Sequence, residues 1–157
     1  NFEVLSSLPI SFRDPQCVVH KHELFICGTY LKHYCYSYHT LKNEYRLICR
    51  YPYEVILEGY CVVKRINPNN ADDITLLCFG GKKFSDKRTL IMQYRSVWDN
   101  IDKTYSNEWK PLKNNFNEYV YIGRNEVDYS GARAVIGGSD NHLLFITFFQ
   151  ITWMCLI

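Results

Sequence analysis

An all-β chain assembled from repeated antiparallel units is the fold class this sequence predicts, and three observations predict it. A short phrase occurs twice: Asn43-Glu44-Tyr45-Arg46-Leu47 returns as Asn107-Glu108-Trp109-Lys110-Pro111-Leu112. Each copy follows an apolar run, a Gly-containing turn and a second apolar run. The runs are short, rich in Val, Ile, Leu, Phe and Tyr, and bounded by Gly, Asn, Asp, Ser or Pro, whereas stripes at helical spacing are weak throughout.

The elements follow in order. The first unit reads Cys17-Val18-Val19-His20, then Leu24 to Gly28, then Tyr34 to Tyr38, then Glu44 to Ile48. The second reads Tyr60 to Lys64, then Thr75 to Gly81, then Thr89 to Tyr94, then the Trp109 segment. A third starts at Ala132 to Val135 and Leu143 to Thr147. Anchors shift by 44 positions (Cys17 to Cys61), 52 (Gly28 to Gly80) and 64 (Tyr45 to Trp109), a spread ascribed to loop insertions at Ile66 to Asp73 and Asp99 to Glu108. The Tyr34 run alternates, with Tyr34, Tyr36 and Tyr38 on one face and Cys35, Ser37 and His39 on the other. The second run of each unit is continuously apolar, as for a strand covered on both faces. Four strands of increasing exposure, repeated about every fifty residues, are the pattern of a propeller blade.

These residues resemble the kelch repeat. That family's blade carries an apolar strand ending in Gly-Gly, then a Tyr, then a Trp, and the second unit matches with Gly80, Gly81, Tyr94 and Trp109. In the first unit Gly28-Thr29 stands where the doublet belongs and Tyr45 replaces the Trp; Gly137-Gly138 lies before the Leu143 strand and is not the family doublet. The stretch from Gln16 to Thr147 is similar to an expanded kelch-motif set of a single-celled eukaryote, through His39-Thr40-Leu41-Lys42-Asn43-Glu44-Tyr45 and Ala134-Val135-Ile136-Gly137-Gly138-Ser139. The resemblance implies a kelch-type β-propeller fragment with four-stranded antiparallel blades, about two and a half of them. Gly28, Tyr45, Gly80, Gly81, Tyr94 and Trp109 are then blade-forming residues: the glycines for turns at positive φ, the rings for covering neighbouring strands.

The chain divides into an N-terminal segment (1–16), a first blade (17–53), a second with loop insertions (54–115), the start of a third (116–147) and an apolar, divergent tail (148–157). Closed propellers use roughly four to eight blades, so the expected setting is a longer protein or self-association. Residue 1 is Asn and no signal peptide is present, which fits the reading as a fragment. Leu143 to Ile157 is almost wholly apolar, yet short of the roughly twenty residues that cross a bilayer. The tail is expected to be a buried strand running into an altered ending, with membrane attachment through Leu143–Ile157 as the alternative.

A net charge of +2 with both signs interspersed gives no basis for nucleic-acid binding. The seven cysteines form no C-x-x-C pair, and no Asn-x-Ser/Thr sequon occurs; a reducing cytoplasm is expected. His20 with His22, and His33 with Cys35, would each share a face of an extended strand, but neither has the spacing of a zinc site, so no metal or cofactor is predicted. Ser139-Asp140-Asn141-His142 holds the residue types of a triad, but four consecutive residues cannot adopt its geometry, and Gly137, Gly138, Asp140 and Asn141 spell a turn.

The expected function is therefore a non-catalytic protein-interaction module with an unidentified protein partner. Loops at the blade ends supply the binding candidates: Tyr30, Lys32 and His33 in the first unit, Lys82, Lys83 and Arg88 in the second, and Arg65 with the segment that follows it to Asp73. Alternatives are the remnant of a propeller enzyme whose site other blades complete, and a truncated, nonfunctional paralogue.

Overall fold

The computed structural model describes residues 4–29, 32–82, 88–99, 105–123 and 126–148, all but Thr29 with their side chains, and the backbone of residues 151–156. Among these residues the secondary structure is β throughout, in three antiparallel sheets. Sheet 1 takes β1 (Gln16–His20), β2 (Glu23–Thr29), β3 (Lys32–His39) and β4 (Glu44–Arg50) in chain order. Sheet 2 takes β5 (Tyr60–Asn67), β6 (Asn70–Gly80), β7 (Leu90–Tyr94) and β8 (Lys110–Pro111), and sheet 3 takes β9 (Arg133–Gly137), β10 (Leu143–Phe148) and β11 (Ile151–Leu156).

Alternation along the strands decides how the sheets stack. In β6, Ile74, Leu76 and Cys78 pack toward sheet 1, while Leu77 and Phe79 pack toward sheet 3. In β5, Tyr60 and Val62 take the first direction, Cys61 and Val63 the second. Sheet 2 is thus covered on both faces, which accounts for its continuously apolar runs. Phe25, Cys27 and Cys35 close the seam from sheet 1; Leu144 and Ile146 of sheet 3, with Ala132 just before it, close the other. Burying a side chain such as Phe25 or Leu76 contributes about 1.5–3 kcal/mol. Between sheets, the strand backbones approach most closely at β1 with β5 and at β5 with β9, and Lys64 Nζ donates to the Val19 carbonyl at 2.6 Å across the first of these. The sheets fan out from an edge made of their first strands.

The repeated Asn has a physical role in both copies. Asn43, in the left-handed region at φ 52°, donates its backbone N–H to the His39 carbonyl at 2.9 Å, and its side-chain oxygen accepts the Tyr38 hydroxyl at 2.9 Å. Asn107 reaches the matching residue with its side chain, donating Nδ2–H to the Arg95 carbonyl and accepting the Arg95 N–H, both at 2.9 Å. Each Asn ties the residue after the third strand's Tyr to the start of the fourth. The aromatic two positions on then diverges. Trp109 is buried in the seam, stacked on Tyr51 at 4.8 Å, with its indole N–H donated to Cys35 Sγ at 3.3 Å. Tyr45 lies on the outer face of sheet 1, against Tyr38, and donates its hydroxyl to the Ser6 carbonyl at 3.2 Å. The N-terminal segment crosses this face, with Phe12 edge-on to Tyr36.

Gly28 has φ +51°, and a Cβ there would lie 2.7 Å from Leu57 Cδ1 and 2.9 Å from the Tyr60 hydroxyl, which donates to the Cys27 carbonyl. Gly80 and Gly81 also have positive φ, at 98° and 107°.

One expectation changes. The segment from Ile66 to Asp73 is not a loop insertion: β5 and β6 extend through it, with Ile66 opposite Ile74 and Asn67 opposite Asn70. The Asn67 side chain accepts the Asn69 N–H at 3.0 Å, a local turn that lets a polar hairpin continue the apolar strands. The apolar tail is a strand, since β11 pairs with β10 from Phe148↔Ile151 to Leu143↔Leu156. Residues 149, 150 and 157 of that tail, and 100–104 of the other expected insertion, lie outside the described residues. No helix among the described residues is long and apolar enough to cross a membrane.

Truncating Trp109 empties the seam and removes the donor to Cys35. Trp109→Ala is expected to cost about 3–5 kcal/mol in urea unfolding, against less than about 0.5 kcal/mol for Val19→Ala, a residue that is 63% exposed.

Candidate functional site

One end of the seam between sheets 1 and 2 opens into a cleft of about 590 Å³. Turns from both sheets form it: Lys21–His22 between β1 and β2, the end of β3 at His39, the β5–β6 hairpin with Asn70, Asp72 and Asp73, and the segment after β7 from Arg95 to Asp99. Lys21 sits in the left-handed region at φ 51°, which turns the chain so that His20 faces inward and His22 outward. Thr40 then locks the β1–β2 turn to the β3–β4 turn, its N–H reaching the His22 carbonyl at 2.8 Å and its hydroxyl at 3.1 Å.

The floor is a buried polar cluster around Glu23. Its carboxylate accepts three hydroxyls: Ser37 at 2.6 Å, Tyr94 at 2.5 Å and Ser96 at 2.7 Å. Trp98 Nε1–H donates to Ser37 Oγ at 2.8 Å, and the Val97 N–H to the Tyr94 hydroxyl at 3.2 Å. Glu23 and Ser37 belong to sheet 1, while Tyr94, Ser96 and Trp98 belong to sheet 2 and the segment that follows β7, so the carboxylate clamps the two sheets. A buried carboxylate with its lone pairs filled by donors is tolerable where an unpaired one is not. Burial, and then the Glu23 hydrogen bond and charge, raise the Tyr94 phenol well above its usual range.

The wall is aromatic and cationic. His22 stacks on His39 at 6.1 Å, and His39 meets the Trp98 ring edge-on at 5.1 Å. Around the same indole the Arg46 guanidinium lies at 4.3 Å and the Lys42 ammonium at 5.3 Å, geometry for cation–π attraction. Arg46 also donates to the Val97 carbonyl at 3.0 Å, and Arg95 lies over the Tyr105 ring at 4.1 Å. The opposite rim is acidic. Asp72 is bonded to Lys21, which holds its carboxyl below the usual range; hydrogen bonds from Asn67 and Gln93 do the same for Asp73. Burial, with Lys64 and Lys21 nearby, lowers the His20 imidazole.

Of the residues singled out from sequence, the cleft takes Asn70, Asp72 and Asp73 of the Arg65–Asp73 segment together with His20, His22 and Tyr94; the other binding candidates lie elsewhere. Lys32 and His33 start β3 at the opposite end of the sheets, with Lys32 reaching Ser11 Oγ at 3.4 Å and His33 beside Tyr53. Lys82 pairs with Glu58 near a separate hollow of about 490 Å³ that Arg133 also lines. Arg88 precedes β7 at that same far end, while Arg65 lies on β5 toward the cleft end, in a side hollow with Asn67 and Asp73. Tyr30 and Lys83 lie outside the described residues. Among the described residues no three His, Cys, Asp or Glu are grouped as metal ligands; His20 and His22 are parted by the turn, and His33 and Cys35 lie on β3 away from both.

Sequence reasoning passed over Glu23, Ser96 and Trp98. The available signal was a Glu at the head of a continuously apolar strand, directly after a cationic turn, since a carboxylate entering a core needs partners there.

Removing the carboxylate strands three hydroxyls: Glu23→Ala should destabilise by more than about 1.5 kcal/mol in denaturant titration. Because the folded state disfavours charged His20, the unfolded chain binds more protons below the ordinary imidazole range, so stability falls as pH drops from 7.5 to 5. Thermal midpoints across that range should decline less steeply in His20→Gln.

Comparison with protein-family models, with curated proteins and with solved structures finds no match to this chain.

Proposed function

We propose that the chain is a section of a kelch-type β-propeller that works as a protein-interaction module, with the cleft between sheets 1 and 2 as its contact surface. Three sheets fanning from their first strands support the propeller part of this reading, as does the shared role of Asn43 and Asn107. The observation that carries the function is the composition of the cleft. Its one deeply buried carboxylate, Glu23, is occupied by three hydroxyls, and what it presents to solvent is a rim of both signs beside stacked rings. A rigid floor under exposed turns is how a scaffold displays a recognition surface.

The partner that fits is an extended peptide segment carrying charge. An acidic side chain would meet Arg95 and Lys21, a basic one Asp73 and Asp99, and an aromatic or Arg side chain could stack on His22 and His39. Cys61 and Cys78 act in this reading as small apolar packing residues, which suits a cytoplasmic setting.

Selection of a displayed library of unstructured peptides against the intact chain tests the proposal. Enriched peptides should lose binding about tenfold or more, which is about 1.4 kcal/mol, on Arg95→Glu or His39→Ala. Lys32→Ala at the opposite end should leave it unchanged. Enrichment indifferent to both cleft variants would sink the assignment.

A further inference from the structure

Three cysteines stand side by side across sheet 1. Cys27 on β2 is directly opposite Cys35 on β3, and Cys35 is directly opposite Cys49 on β4. Directly opposed residues of antiparallel strands have Cβ atoms about 4.5–5.5 Å apart, close to the spacing a disulfide needs. A bulge lies beside the second pair, with Ile48 of β4 the extra residue between Cys35↔Cys49 and Tyr36↔Leu47, so that Ile48 and Cys49 both pack on the seam. Cys27 and Cys35 are fully buried, whereas Cys49 is half-buried, its sulfur 3.6 Å from Met92 Sδ. All three are free thiols.

We propose that Cys35 and Cys49 form a redox-active pair that a hydroperoxide converts into a cross-strand disulfide. Cys35 is the reacting sulfur. Burial alone would raise its thiol, but the neighbouring Cys27 and Cys49 thiols and the Trp109 indole N–H at 3.3 Å outweigh that and favour the thiolate. The Cys35 sulfur beside it, together with burial, raises the Cys49 thiol. Cys49 is also the member of the pair that solvent reaches, so a small hydroperoxide arrives beside it.

The Cys35 thiolate attacks the terminal peroxide oxygen; an S–O bond forms, the O–O bond breaks, and the departing alkoxide takes the Cys49 proton to leave as alcohol, or as water from hydrogen peroxide. The Cys49 thiolate then attacks the Cys35 sulfenic sulfur, forming the S–S bond and releasing hydroxide. Two thiols lose two electrons, and the peroxide gains them. The bond draws Cys35 Sγ away from Trp109 Nε1–H, leaving a buried indole donor without its acceptor in the middle of the seam. Oxidation therefore loosens the joint between sheets 1 and 2 from within.

The test is mass-spectrometric thiol mapping of the whole chain, alkylated in denaturant after exposure to hydrogen peroxide. A Cys35–Cys49 linked peptide should appear, accompanied by a lower thermal midpoint and a change in tryptophan emission, all reversed by dithiothreitol. Cys49→Ser should abolish the link, and Cys17→Ser, at an exposed thiol, should not. A Cys27–Cys35 link in the unaltered chain, oxidation confined to Cys17, or Cys35 and Cys49 both recovered as free alkylated thiols would each overturn the assignment. Mapping on the unaltered chain keeps the result decisive even if the Cys49 variant folds poorly.

Discussion

Everything in this molecule depends on the central sheet having two apolar faces to cover. A strand such as β6, with Leu76 and Cys78 on one side and Leu77 and Phe79 on the other, cannot be stable with either side wet. Sheets 1 and 3 supply the covers. Each needs only one strongly apolar face for this, which is why β3 can put tyrosines outward and Cys35 and Ser37 inward. The N-terminal segment then lies over the tyrosine face, held by Ser6, whose N–H and hydroxyl both donate to Asn43.

The seam between sheets 1 and 2 is not uniform along its length. At the cleft end it is polar, where Glu23 gathers hydroxyls from both sheets. In the middle it is aromatic and sulfur-rich, where Trp109 stacks on Tyr51 and donates to Cys35. At the far end it closes by tight approach, the Tyr60 hydroxyl on the Cys27 carbonyl and Leu57 against Gly28. A polar cluster at one end gives the stack a fixed register that apolar packing alone does not specify, because hydrogen bonds are directional and burial is not. The same cluster forms the floor of the cleft.

The cleft and the cysteine row occupy one seam but different depths of it. Ser37 and Cys35 are two residues apart on β3 and share a face; the first accepts the Trp98 indole N–H, the second that of Trp109. A change at Cys35 therefore acts on the joint that positions the proposed recognition surface. Coupling of this kind requires only that both indoles pack on one strand.

The residues by themselves determined the strand class, because short runs of β-branched and aromatic residues between Gly, Asn and Asp leave few other solutions. They also determined which residues of β3 share a face, and that the apolar run of the central sheet is covered twice, although the matching run in sheet 1 has a second sheet on one side alone. The repeated Asn-Glu-aromatic phrase was legible as a repeat, but its two aromatics part company, and nothing local to Tyr45 or Trp109 says which will meet another sheet. Ile66 to Asp73 read as a loop insertion because the spacing of the two units differs there, whereas the hairpin extends as strand once β5 and β6 pair. Of the cleft, the hairpin rim from Asn70 to Asp73 was legible as a binding candidate, but its floor and its aromatic wall were not. Glu23 lies 71 positions from Tyr94 and 73 from Ser96, and His22, His39 and Trp98 come together only when two sheets stack. Local pattern fixes what each segment prefers to bury; which distant segments supply the cover, and which polar groups are trapped between them, is decided by packing alone.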